Sequence, residues 1–148
     1  MKELVDCLKR LLANEVSMYL TASGFHWNVE GDDFPQYHDF FGMIYEDVYG
    51  AIDPTAENIR RLGEYAPFTL PSLSKLRDVE DQKVSSDPME MLNALDDMNE
   101  KVIECILDGF DIATKEREQG IANFLADRDG MHKKWRWMIA ASLKAMAE

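Results

Sequence analysis

Five prolines and eight glycines punctuate this 148-residue chain, and their placement leaves little room for anything but long helices. Turn-forming residues gather around positions 31–35 and 63–71, and Pro88 adds a third break. Between these breaks apolar side chains recur every three or four residues, the period of one helix face. Leu4, Leu8, Leu11, Met18, Ala22 and Phe25 predict a first helix from about Lys2 to Val29. Tyr37, Phe40, Phe41, Ile44, Tyr45, Val48 and Ile52 predict a second, starting near Phe34 or Pro35 with Asp33 as its cap and ending near Leu62 before Gly63. Pro54 should kink or split it, because proline removes a backbone donor.

From Glu64 to Pro88 the chain reads as an irregular crossover with a short helix around Leu73 to Leu76. Asp87-Pro88, a cap followed by a proline at the first helical position, opens a third helix. It carries Leu92, Leu95, Met98, Val102, Ile106, Phe110 and Ala113 and ends near Glu116. The fourth runs from about Gln119 to Ala147 on Ile121, Phe124, Leu125, Trp135, Met138, Ile139 and Leu143. Short links within each helix pair and one long link between the pairs predict an all-α, ferritin-like four-helix bundle with a single crossover. One domain over residues 1–148 is expected.

A net charge of −12 disfavours a phosphate-binding face and concentrates small cations. Cys7 and Cys105 have no metal-ligand or redox spacing and read as reduced thiols in or near the core. No apolar run is long enough for a membrane span, and the first residues lack a signal-peptide pattern, so a cytoplasmic location is expected.

His26 and His38 lie six residues on either side of Asp32, in a stretch broken by Gly31 and Pro35. In an antiparallel helix pair, residues equidistant from the turn lie abreast, so two imidazoles can meet. Neutral imidazole is a ligand for transition metals. Asp53 and Glu57 follow on the second helix, one turn apart on one face. Each residue also has an ordinary explanation. A histidine in a helix is most often a satisfied structural residue. Asp53 before Pro54 is a good helix cap, and Glu57 would suit a first turn. Trp27 suits a core. Glu15 interrupts the first helix's apolar stripe, and lies at an edge, snorkels outward or faces a polar interface. His132, among Lys133, Lys134 and Arg136, reads as part of a solvated face rather than a ligand.

The usual di-iron bundle carries Glu-x-x-His on two helices, and this chain has none. Asp53 is fifteen residues beyond His38, about 22 Å along a helix. The two cannot share a metal within one chain. If they serve one site, two antiparallel subunits form it, with two sites per two-fold dimer.

Phe25-His26-Trp27-Asn28-Val29-Glu30-Gly31, Phe34, His38, and Asp53-Pro54-Thr55-Ala56-Glu57-Asn58-Ile59-Arg60 through Leu62-Gly63 resemble the Dps, or mini-ferritin, family. Its pattern is HWN-x-x-G, F-x-x-x-H and D-x-x-A-E-R-x-x-x-L-G, with Asn58 here where arginine is usual. The resemblance spans essentially the whole chain. It implies a hollow shell of twelve subunits, a dodecamer, that oxidises ferrous iron, preferably with hydrogen peroxide rather than oxygen, and stores the ferric product. It assigns His26 and His38 as ligands from one subunit and Asp53 and Glu57 as ligands from its partner. Trp27 becomes the aromatic beside the site, an electron donor that limits radical escape. Iron is the implied metal, and zinc or another divalent ion suits the same donors.

Two departures matter. The family's aspartate one turn after His38 is replaced by Gly42, so one oxygen ligand is missing, and neither Asp39 nor Glu46 has the helical phase to replace it. The resemblance therefore leaves two functions: a peroxide-detoxifying ferroxidase and iron store, or a shell with an impaired centre that sequesters metal. Asp127 and Asp129 fall near the family's acidic pores, or are ordinary surface acids. Many family members bind DNA through a lysine-rich tail, and no basic tail is written here. Plasmid DNA should therefore migrate unretarded with this protein at physiological salt, and a salt-sensitive gel shift would overturn that expectation.

Overall fold

The computed structural model describes residues 1–147, with side chains through Lys144, so the expectation about residues 145–148 lies outside the described side chains. It contains α1 (Lys2–Asn28), α2 (Phe34–Arg61), α3 (Leu70–Leu76), α4 (Pro88–Lys115) and α5 (Gln119–Ala147). The four long elements form a ferritin-like helical bundle. α1 pairs with α2 and α4 with α5, and α1 packs on α4 to close the core. Leu4, Leu8, Leu11 and Met18 of α1 meet Phe41 and Ile44 of α2 and Leu92, Leu95 and Ile106 of α4 in a continuous buried cluster.

The turns follow from local chemistry. Gly31 adopts φ +128, a conformation that side chains disfavour, and its carbonyl accepts from the Phe34 amide. Gly63 (φ +93) ends α2, where the Glu64 amide bonds back to the Ile59 carbonyl at 3.3 Å. Asp87 caps α4 by accepting from the Met89 amide at 3.1 Å. Asp33 sits at the cap position of α2 but makes no side-chain cap bond. The crossover is tied down at both ends. Asn14 exchanges two bonds with Asp78, and the Glu30 amide donates to Ser86.

One expectation fails here and two are narrowed. Pro54 does not split α2, which runs unbroken from Phe34 to Arg61. Residue 50, four positions earlier, is a glycine, and the Thr55 hydroxyl donates to the Ala51 carbonyl beside the missing bond. His132 is not on a solvated face. It is wholly buried, while its neighbours Lys133 and Lys134 are exposed. Glu15 does not snorkel; it too is wholly buried.

These two belong to a polar layer inside the bundle. Arg128 makes twin bonds to Asp47, each 2.9 Å, and the Trp135 indole donates to Asp47 at 2.8 Å. Arg128 also donates to His132 Nε2 at 2.9 Å. That nitrogen must therefore be the acceptor, so Nδ1 carries the proton and donates to Asn99 Oδ1 at 2.8 Å. Asn99 completes the loop with its amide on the His132 carbonyl. Burial pushes the Asp47 carboxyl up, but the Arg128 bonds and the indole more than reverse it, so Asp47 stays ionised. Neither Glu15 oxygen has a hydrogen-bond partner, and the Thr55 hydroxyl donates to the Ala51 carbonyl.

Burial raises the Glu15 carboxyl from 4.5 to about 8, so it is protonated at neutral pH. Burial and the Arg128 charge lower His132 from 6.5 to about 3, so it is neutral. Between pH 4.5 and 8 the folded chain holds a proton on Glu15 that the unfolded chain has released, so stability falls as pH rises through that window. Between pH 6.5 and 3 the unfolded chain gains a proton on His132 that the folded chain refuses, so stability falls as pH drops. In metal-free protein, Glu15→Gln should flatten the decline in Tm between pH 6.5 and 8. Equal alkaline slopes in wild type and variant would refute the protonated core carboxyl.

Candidate metal site

The Gly31 turn brings His26 and His38 together as their symmetric spacing predicts. The two imidazoles stack with centroids 3.7 Å apart and planes 15° from parallel. Each ring is locked by the other residue's backbone. His26 Nδ1 donates to the His38 carbonyl, and His38 Nδ1 donates to the His26 carbonyl, both at 2.6 Å. A carbonyl only accepts, so both nitrogens carry their protons. Each Nε2 is left unprotonated in the neutral ring, with its lone pair available. A carbonyl on the other ring nitrogen orients metal-binding histidines in just this way. Phe34 covers His38 (4.9 Å, 25°), and Tyr45 meets His26 edge-on (5.2 Å, 69°). Sequence reasoning had not assigned either ring to the site. Their spacing from His38, one turn before and two turns after, is the signal that could have found them.

Gly42 lies under the pair. A Cβ there would come within 3.2 Å of His26 Cε1 and Nδ1. The absence of a side chain at position 42 therefore both removes an oxygen donor and lets the imidazole sit close against α2. Trp27 is not a core residue. It is 69% exposed, beside Asn28 and Glu30 on an open groove that reaches Ser86 and Glu90.

Asp53 and Glu57 are both exposed on α2, one turn apart. Because α2 is continuous through this stretch, Asp53 is mid-helix and caps nothing, and Glu57 is in no first turn. Neither is placed there by a capping role. The unbroken helix also maintains the separation of about 22 Å from His38. Among the described residues no group of three or more His, Cys, Asp or Glu side chains gathers within one chain. His38 stands near the start of α2, and Asp53 and Glu57 stand toward its end. Inside the bundle, where a di-iron protein sets cations between inward carboxylates, the Arg128 guanidinium occupies that role against Asp47. Asp129 pairs with Lys133 at 3.0 Å, while Asp127 is exposed.

Comparison with known proteins agrees with this architecture. Residues 5–148 match the family model of the ferritin-like domain, and the chain belongs to the ferritin-like family. Within it, the relatives define the Dps, or mini-ferritin, branch. A "DNA protection during starvation protein" of Helicobacter pylori is 28% identical over 93% of this chain and 96% of its own length. A Dps protein of Vibrio cholerae O1, described as one of the ferritin-like diiron-carboxylate proteins, superposes with a TM-score of 0.92 at 27% identity, covering 96% of this chain and 89% of that one. The structure of Helicobacter cinaedi CAIP gives 0.90 at 28% identity over 95% and 99%. Iron storage and ferroxidase-type chemistry belong to this family in general.

The imidazole clamp has a spectroscopic consequence. In metal-free protein with isotope-labelled histidine, nitrogen NMR should show the Nδ1–H tautomer for His26 and His38, the form less common in free histidine. An Nε2–H signal from either would overturn the assignment of Nε2 as the free donor.

Proposed function

We propose that this chain forms a homo-oligomeric shell, with twelve subunits as in the family pattern, that oxidises ferrous iron with hydrogen peroxide at sites shared between subunits. One subunit supplies His26 and His38, and its two-fold partner supplies Asp53 and Glu57. The observation that carries this reading is the clamp: one imidazole from α1 and one from α2 are fixed with both Nε2 lone pairs free, while the α2 carboxylates stand about 22 Å from His38. A donor set preorganised but incomplete calls for the complementary half from a second copy.

Iron is substrate and cargo here. Two ferrous ions give up one electron each, the peroxide O–O bond breaks, and two hydroxides form beside two ferric ions. The residues bind and orient the ions. Two neutral imidazoles and two carboxylates suit divalent iron, and zinc would occupy the same donors without redox chemistry. Exposed Trp27, adjacent to His26, is placed to supply an electron and intercept radicals. The strong negative charge of the chain draws ferrous ions in and disfavours direct contact with DNA. DNA protection, the role named for its relatives, would then follow from removing iron and peroxide rather than from coating nucleic acid. No helix among the described residues is long and apolar enough to cross a membrane, and a cytoplasmic shell fits this role.

Gly42 favours a second reading, in which the shell binds iron but turns it over poorly. Anaerobic ferrous loading followed by peroxide separates the two. Rapid ferric formation that co-elutes with a large assembly supports the ferroxidase, and a loaded assembly with no oxidation above buffer supports the sequestrant.

The shared site makes a sharper prediction. His38→Ala and Asp53→Asn should each abolish peroxide-dependent iron oxidation. Mixed one-to-one and reassembled, they should recover roughly a quarter of wild-type activity, because half the dimers are mixed and each mixed dimer has one intact site of two. No recovery in an assembly of normal size would place the two residue pairs in different sites.

A further inference from the structure

Two thiols meet at the seam between α1 and α4. Cys7 and Cys105 are both unpaired and buried, and the iron chemistry uses neither. Cys7 Sγ lies 3.4 Å from the Cys105 carbonyl, and Cys105 Sγ lies 3.6 Å from the Cys7 carbonyl. Such reciprocal contacts require the two backbones to be close. Gly109, one turn beyond Cys105, permits it, since a Cβ there would sit 3.3 Å from Cys7 Sγ. The Arg10 guanidinium approaches the Cys7 sulfur at 3.8 Å.

Burial ordinarily makes a cysteine inert, but each of this pair lines a groove open to the surface. A groove of about 420 Å³ between Glu3, Asp6, Arg10 and Asp108 opens on Cys7. Another of about 240 Å³, lined by Arg10, Lys101 and Glu104, opens on Cys105. Their walls are mainly acidic, which repels anionic disulfides such as oxidised glutathione. A small uncharged hydroperoxide meets no such barrier.

We propose that Cys7 and Cys105 form a peroxide-oxidisable dithiol that closes into an intrachain disulfide between α1 and α4. The Cys7 thiolate attacks one peroxide oxygen and the O–O bond breaks. Cys7 becomes a sulfenic acid, and the departing hydroxide takes up the proton that Cys7 released. The Cys105 sulfur then attacks Cys7, the S–O bond breaks, and a second water leaves with the Cys105 proton. In sum, two thiols and one hydrogen peroxide give one disulfide and two waters. The sulfurs lose two electrons, and a thiol reductant would restore them. Roles divide as the surroundings direct. The Arg10 guanidinium, 3.8 Å from the Cys7 sulfur, favours its thiolate and lowers that thiol, while burial away from any such contact raises Cys105. Cys7 is therefore the attacking sulfur and Cys105 the resolving one. The step needs no metal and goes beyond the iron-oxidising reading.

The test uses the assembled, metal-free protein. It is exposed to hydrogen peroxide, quenched with catalase, denatured, alkylated and mass-analysed. Both thiols should disappear together, the chain mass should fall by two hydrogens, and a Cys7–Cys105 cross-linked peptide should appear and be reversed by dithiothreitol. Cys105→Ser should halt at a sulfenic acid on Cys7 that dimedone traps. Arg10→Gln should slow the loss of Cys7 by about tenfold. Two alkylatable thiols after exposure, oxidation of one cysteine alone, or a cross-link between chains would each overturn the proposal. The wild-type chain alone decides it if a variant misfolds.

Discussion

The bundle's register hangs on one buried cation. Arg128 of α5 joins Asp47 of α2 and His132 on its own helix, and His132 carries the network on to Asn99 of α4. Glu15 of α1 faces the same layer as a neutral acid. Apolar contacts alone tolerate a slide of one helix past another, because one leucine can replace another in a hole. This layer does not. Sliding α2 or α5 by a turn strands a charge in the core, and breaking a buried pair typically costs about 3–5 kcal/mol. The layer thereby aligns α2 with α5. Because α2 also carries His38 near its start and Asp53 and Glu57 toward its end, the same alignment sets where both halves of the proposed site stand.

That dependence explains which features could be read from the sequence. The four helices, the short turns and the long crossover were legible because the apolar stripes and the glycine and proline breaks agree. His26 and His38 were legible as a pair because equal spacing about a turn is a geometric statement. The polar layer was not. Arg128 and His132 continue the spacing of Leu125, Trp135 and Ile139, but their charge and their lysine and arginine neighbours point outward when residues are read one at a time. Glu15 kept the phase of its stripe, and that phase, rather than its chemistry, told the truth about its burial. Asp53-Pro54 misled in the opposite direction. Together they read as a helix start, yet local compensation from Gly50 and Thr55 carries α2 through.

The iron reading turns on two properties of α2 that act together. The helix is too long and too straight in connectivity to fold its carboxylates back onto its own histidines. The histidines are too firmly held to move toward the carboxylates, since each Nδ1 is anchored to the opposite backbone carbonyl. On this reading the held imidazoles and the continuous helix make a second chain the source of the carboxylates. A more flexible pair of imidazoles would carry no such implication, because it could be satisfied by water or by a nearby side chain.

Gly42 then decides how the proposed centre would be loaded. A side chain at that position would press on the His26 ring at the nitrogen that holds the clamp, so the missing aspartate and the tight clamp are two sides of one packing choice. The electrostatic consequence follows from counting charges. Two neutral imidazoles with the carboxylates of Asp53 and Glu57 bring a charge of minus two, which one ferrous ion neutralises. A second ion must enter a site already balanced and give up hydration for fewer oxygen donors. Peroxide needs two electrons, so on this reading one iron is resident and the second is a visitor. Turnover then follows the arrival of that second ion rather than the affinity for the first. On the same reading the clamp favours binding by fixing both imidazole nitrogens in advance, and the missing carboxylate weakens it by removing an oxygen donor.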